Sequence, residues 1–140
     1  MTPQLPLPAV NSDTEGWWEG TRHGRLLLQR CRRCGEFQHY PRPFCLKCHG
    51  LDLDFEESSG RGVIHSFSMV HRSPDPDLFD APYVVALVRL EEGPIMFTSI
   101  VDYQPGELQC EQSVEVTWRP LSDGRQLPVF RPTKEVSYEL

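Results

Sequence analysis

The apolar positions of this chain come in short runs broken by thirteen prolines and ten glycines, a texture of strands and turns rather than long helices. From Gly62 to His71 (GVIHSFSMVH) the residues alternate. That period places Val63, His65, Phe67 and Met69 on one face of a strand and Ile64, Ser66, Ser68 and Val70 on the other. A proline- and aspartate-rich loop, Arg72 to Pro82, precedes a nearly continuous apolar strand, Tyr83 to Leu90 (YVVALVRL). Glu91 to Pro94 reads as a turn, and Ile95 to Val101 (IMFTSIV) as the returning strand. Ser113 to Trp118 and Leu127 to Arg131 predict a fourth and a fifth. Five short strands in about 70 residues, with no long helix between them, predict a small antiparallel barrel. Periodicity alone leaves a sandwich open, because it does not decide closure.

The N-terminal part is patterned differently. Pro3, Pro6 and Pro8 predict an extended arm. Ser12 followed by Glu15 fits a capping box, which predicts a short helix running to about Gly24. Trp17 and Trp18 are adjacent on it and cannot share a face, so at least one packs beyond the helix, in the core or against a partner. Arg25 to Arg30 (RLLLQR) predicts a strand leading into a cysteine-rich segment.

Composition narrows the class. With 39% hydrophobic and 10% aromatic residues the chain is globular rather than disordered. No apolar run approaches the ~20 residues of a membrane span. Met1 to Val10 lacks the basic-then-apolar order of a secretory signal, so a cytoplasmic setting is expected, where paired cysteines suggest metal more than disulfides. The net charge of −6 is uneven: −3 over residues 1–21, +6 over 22–50 and −9 over 51–140. An anionic ligand or partner would prefer the middle segment, although an arginine-rich solvated surface has the same composition.

Within that segment stand Cys31-Arg-Arg-Cys34 and Cys45-Leu-Lys-Cys48. Two-residue spacing lets both thiolates of a tight turn face one ion while backbone N–H groups support the sulfurs. Gly35 follows the first pair, where a positive φ commonly closes the turn, and His49 takes that place after the second. Four soft ligands suit Zn²⁺ or, less often, iron. Cys45 to His49 also spells the c-type haem attachment motif, but the second cysteine pair and the missing export signal disfavour it. A thioredoxin-like pair would need a βαβ context. A rubredoxin-like electron carrier stays open, since iron and zinc share the ligand set. His39 and His49 could stand in for a thiolate, although four cysteines already complete a shell with no open position for catalysis. The ion is therefore expected to be structural. Cys110 reads as an ordinary buried thiol.

Catalytic chemistry is otherwise thin. His65, Ser66, Ser68 and His71 share one predicted strand, with neither a nucleophile elbow nor a phosphate-cradling glycine loop. Asp75, Asp77 and Asp80 suit a turn-rich loop better than a calcium loop.

Trp17 to Leu53, with its paired tryptophans, basic leucine run, C-x-x-C-G, aromatic-proline hairpin and second C-x-x-C, resembles the start of the zinc-ribbon, OB-fold family of acyl-CoA-associated proteins, domain of unknown function family 35. Pro82 to Gly93 and Ser113 to Arg119 resemble its later strands, although Glu111 and Gln112 stand where the family has a glycine. The resemblance implies a mainly β fold: arm and short N-terminal helix (1–25), rubredoxin-like four-cysteine ribbon (26–58), five-stranded OB-type barrel (59–132) and tail (133–140). It implies structural zinc on Cys31, Cys34, Cys45 and Cys48, and a non-catalytic subunit beside a thiolase-like or hydratase-like protein, forming or shielding an acyl-CoA site. Coenzyme A phosphates would then meet Arg22, Arg25, Arg30, Arg32, Arg33 or Lys47. Trp17, Trp18, Phe37, Tyr40 and Phe44 would offer apolar contacts to the cofactor or the partner. The rival reading, a single-stranded nucleic-acid binder, fits the arginines and aromatics of the ribbon but not the acidic barrel.

Overall fold

The structure, a computed structural model, describes residues 7–76 and 80–133. The first six residues of the predicted arm, Asp77 and most of the predicted tail lie outside them. Among the described residues no helix is long and apolar enough to cross a membrane.

The helix, α1, spans Glu15–Arg22 and begins two residues later than a Ser12 cap predicts. Asn11 is the reason. Its side-chain Oδ1 accepts from the backbone N–H groups of Asp13 (2.9 Å) and Thr14 (3.0 Å), holding the segment in a turn. Thr14 becomes the N-cap and makes no side-chain cap bond. The helix stops where His23 and Gly24 donate back to the carbonyls of Gly20 and Thr21, with Gly24 at φ +67°.

A three-stranded antiparallel sheet follows, built from β1 (Leu27–Cys31), β2 (Phe37–Gln38) and β3 (Leu53–Glu57) in the order β2-β1-β3. The remaining strands are β4 (Arg61–Val70), β5 (Tyr83–Leu90), β6 (Ile95–Ile100), β7 (Ser113–Pro120) and β8 (Gln126–Pro132). They close into a barrel in the order β4-β5-β6-β8-β7. Closure comes from Arg61, Gly62 and Val63 pairing with Glu115, Val114 and Ser113, which excludes the sandwich. One pair, β6 with β8, is parallel, so the barrel is not wholly antiparallel.

The face assignment of β4 changes along its length. Register passes from Ile64 opposite Val88 to Ser66 opposite Leu87, leaving His65 as an extra, exposed residue in a bulge. Residues opposite one another share a face, and the inward residues of β5 are Val84, Ala86, Val88 and Leu90. Gly62, Ile64, Phe67 and Met69 therefore share one face, although Phe67 stays 36% exposed on it, whereas strict alternation puts Ile64 opposite in sense to Phe67 and Met69. Gly62 has no freedom to be larger: a Cβ there would sit 2.5 Å from the Arg89 carbonyl oxygen.

Ile64, Val84, Val88, Val114 and Phe130 are fully buried, and Trp17, Leu26 and Leu28 complete the same cluster. The ribbon and helix thus pack onto the outside of the barrel's core rather than owning one. Their junction is pinned by the acidic turn between β5 and β6. Ser58 Oγ donates to Glu92 Oε1 (2.8 Å), and the Ser59 N–H donates to Glu92 Oε2 (2.9 Å).

Candidate metal centre and apolar groove

β1 delivers Cys31 to the start of one tight turn, and the loop after β2 delivers Cys45 to a second. Each turn closes the same way: Gly35 N–H donates to the Cys31 carbonyl and His49 N–H to the Cys45 carbonyl, both at 2.9 Å. Both closing residues have positive φ, +79° at Gly35 and +63° at His49, so His49 occupies the glycine position predicted for it.

The four Sγ atoms lie within 4.8 Å of one another, with Cys31–Cys48 and Cys34–Cys45 each at 3.6 Å. A tetrahedral thiolate site with metal–sulfur bonds of about 2.3 Å has sulfur–sulfur edges of about 3.8 Å. The donor set and its spacing fit one metal ion. Cys31 and Cys45 are buried, Cys48 is half-buried and Cys34 is exposed. The Cys34 backbone N–H, against the effect of burial, holds the Cys31 thiol below its ordinary value. The Cys48 N–H, again working against burial, lowers Cys45 to about 7. At Cys34 the Glu36 N–H pulls downward, but desolvation and the sulfurs of Cys45, Cys31 and Cys48 carry the thiol up to about 11. Among the described residues these thiols are the one converging group of chelating side chains, and neither His39 nor His49 belongs to it. Cys110 is exposed, contrary to the buried thiol expected. It lies in a turn preceding β7, where no strand sequesters it.

Two glutamines that sequence reading passed over shape the loop between the cysteine pairs. Gln38 Nε2 donates to Gln29 Oε1 (2.7 Å) and, at 3.2 Å, to the Phe44 carbonyl. Gln29 Oε1 also accepts from Arg42 N–H (2.7 Å), and Gln38 Oε1 from Leu46 N–H (3.0 Å). Both are buried. The available signal was a pair of amides on strands, but only the pairing of Gln29 with Gln38 shows that they meet.

The basic candidates do not form one free patch. Arg30 pairs with Glu56, Lys47 with Glu36, and Arg32 with Asp54 and, more loosely, Asp52. Arg22 pairs with Glu19 and donates to the Asp123 carbonyl (2.7 Å). Among the described residues, Arg25 and Arg33 make no ion pair.

The aromatic candidates divide as well. Trp17 is a core residue, 7% exposed, meeting Trp18 edge-on with centroids 4.7 Å apart. Arg125 lies over Trp18 at 4.7 Å and Arg30 over Phe37 at 4.8 Å. Tyr40 and Phe44 are exposed. Trp17, Trp18, His39 and Tyr40 line a groove of about 350 Å³, whose far wall is barrel, including Met96, Phe97 and Pro128. Phe97 was not among the residues singled out from sequence, because its exposure is visible only once β6 is placed. Trp17 Nε1 and His39 Nδ1 are buried without a hydrogen-bond partner. Burial lowers the His39 pKa to about 4, so its ring is neutral near pH 7.

Residues 18–54 match the family model of the ChsH2 rubredoxin-like zinc ribbon domain, and residues 55–119 that of the ChsH2 C-terminal OB-fold domain. The chain is 39% identical over 127 residues to a probable enoyl-CoA hydratase alpha subunit of Thermomonospora curvata, covering 91% of this chain and 40% of that one. It therefore spans about two fifths of that relative's length. A DUF35 domain-containing scaffold protein of Methanocaldococcus jannaschii is 35% identical over 100 residues, 70% of each chain. Among solved structures, a chain of the Ltp2-ChsH2(DUF35) aldolase superposes with a TM-score of 0.82 at 38% identity, covering 90% of this chain and 98% of that one.

Proposed function

The chain belongs to the DUF35 family of zinc-ribbon, OB-fold proteins, and on that footing we propose that it is an accessory subunit of an acyl-CoA enzyme complex, partnered by a thiolase-like or hydratase-like subunit. The observation that carries this is the likeness over 98% of the related chain from the Ltp2-ChsH2(DUF35) aldolase. The metal is Zn²⁺, held by Cys31, Cys34, Cys45 and Cys48, and its work is to fix the ribbon rather than to touch substrate. A reducing cytoplasm suits five free thiols.

Catalysis belongs to the partner in this reading, and the small chain walls or shields the acyl-CoA site. Arg25 and Arg33 are the cations best placed to accept a phosphate without first giving up a carboxylate. The exposed ion pairs of Arg22, Arg30, Arg32 and Lys47 are weak enough to exchange. The test is affinity purification from the native cell at moderate salt, followed by mass spectrometry. A near-stoichiometric thiolase-fold or hydratase-fold protein is the expected result. A zinc-loaded monomer that retains no protein, or that retains nucleic acid, would overturn the proposal.

A further inference from the structure

We infer that the groove between α1, the ribbon loop and barrel strands β6 and β8 is the seat for an extended, uncharged, apolar segment of the partner subunit, with Tyr40 and Phe97 as its two anchors. The inference rests on the accessory-subunit reading and adds to it the surface used and the chemistry of what enters it.

Composition points to the occupant. The lining includes Trp18, Tyr40, Pro41, Phe97, Leu127 and Pro128, with no Asp, Glu, Lys or Arg among it, and burial keeps His39 neutral near pH 7. Arg125, stacked on Trp18, is buried and paired with Asp123, so the wall presents no free cation to a phosphate or polyanion and rejects charged peptide. β6 normally would turn polar residues outward, yet Ile95 and Phe97 point out at 41% and 61% exposure, alternating with the buried Met96 and Thr98.

Extent argues for protein rather than a small ligand. The two elements that form the walls carry further exposed apolar side chains. On one side Tyr40 (51% exposed), Phe44 (39%) and Leu46 (53%) share the loop braced by Gln29 and Gln38. On the other, Ile95 stands two residues from Phe97 on the same strand. A molecule filling only about 350 Å³ would leave those side chains in water, whereas a docked subunit covers them and takes the aromatics as anchors.

Trp17 Nε1 and His39 Nδ1, whose rings are 5.8 Å apart, are buried without a partner, so they lie beneath the groove's surface and leave an apolar floor to its occupant. The braced loop and the closed barrel hold the two walls, so the seat is formed before docking.

The test uses the full chain in its native cell. Phe97→p-benzoylphenylalanine and Tyr40→p-benzoylphenylalanine variants are irradiated in the purified assembly, with Gln104→p-benzoylphenylalanine as a position outside the groove. The expected result is crosslinking of positions 97 and 40, not 104, to an apolar peptide of the thiolase-fold or hydratase-fold subunit. Phe97→Asp should reduce retention of that subunit at least tenfold while zinc content and circular dichroism stay unchanged. If the subunit stays bound to Phe97→Asp at full yield and crosslinks only from elsewhere, the groove assignment falls and the accessory role stands. Crosslinks to a second copy of this chain, or protection of position 97 by acetyl-CoA alone, would also overturn it by giving the groove another occupant. If no subunit accompanies the unmodified chain, the accessory reading falls and takes this inference with it.

Discussion

The ribbon and the barrel sit side by side and are held by different physics. The barrel closes on itself through alternating strands, and its interior is Ile64, Val84, Val88, Val114 and Phe130, all essentially without solvent exposure. The ribbon contributes Leu26 and Leu28 to that cluster and has no separate apolar interior. What it has instead is four converging thiols and the buried amide pair Gln29 and Gln38. A small segment without a core needs a staple, whereas a closed barrel can rely on area removed from water. The difference also sorts function. The ribbon fixes where Tyr40 stands, and the barrel supplies the wall of Met96, Phe97 and Pro128 across the groove from it.

The sharpest way to break the comparison is to take the staple away. Cys45→Ser, or a strong chelator, should abolish metal content and unfold β1 to β3, with a loss on the order of 10 kcal/mol in the ribbon. Amide exchange should then show fast ribbon amides beside barrel amides in β5 and β6 that remain protected. Equal loss of protection in both regions would mean that the two are one cooperative unit.

The converse experiment attacks the barrel. Phe130 is 0% exposed and spans the core between β6 and β7, so Phe130→Ala should cost about 3–5 kcal/mol. Denaturant unfolding checks this, and metal stoichiometry measured below the transition should remain one ion per chain. Loss of the ion at that point would place the ribbon under the barrel's control.

A smaller effect tests the seam between them. Burial places the folded-state pKa of His39 at about 4 against 6.5 for the free side chain. A depressed histidine pKa means that the unfolded chain binds the proton more readily. Its contribution is complete above pH 6.5 and is lost as the pH falls from 6.5 through 4, by up to about 3 kcal/mol. Because acid also protonates the thiolates, the quantity to measure is the difference between the unmodified chain and His39→Phe, both metal-loaded, at each pH. A difference that stays flat between pH 7 and 4.5 would remove His39 from the seam's energetics.

Legibility differed between the two regions for the same reasons. Cysteine spacing is local chemistry, so the metal ligands and even the positive φ of His49 could be placed from the chain alone. The barrel strands β5 and β6 were legible because each is a short apolar run bounded by turn residues, and no bulge interrupts their pairing with each other. In β4 the bulge at His65 moved the phase by one residue, and no period in the sequence marks an inserted residue. The helix starts late because Asn11 takes the Thr14 N–H on its side chain and the Glu15 N–H on its carbonyl, the two groups that a capping Ser12 would bind. Cys110 was misplaced because a lone cysteine's residue type favours burial, while its position in an exposed turn decides otherwise.

The amino-acid sequence by itself determined the donor set for one metal ion, the mainly β class and the uneven distribution of charge, since each depends on residue type and short spacing. Tertiary structure alone decided that β7 meets β4 to close the barrel and that four of the six candidate cations carry carboxylate partners. It also decided that Tyr40 and Phe97, 57 positions apart in the chain, face one groove. Those outcomes depend on which distant segments share a surface, and proximity across a barrel leaves no trace in local pattern.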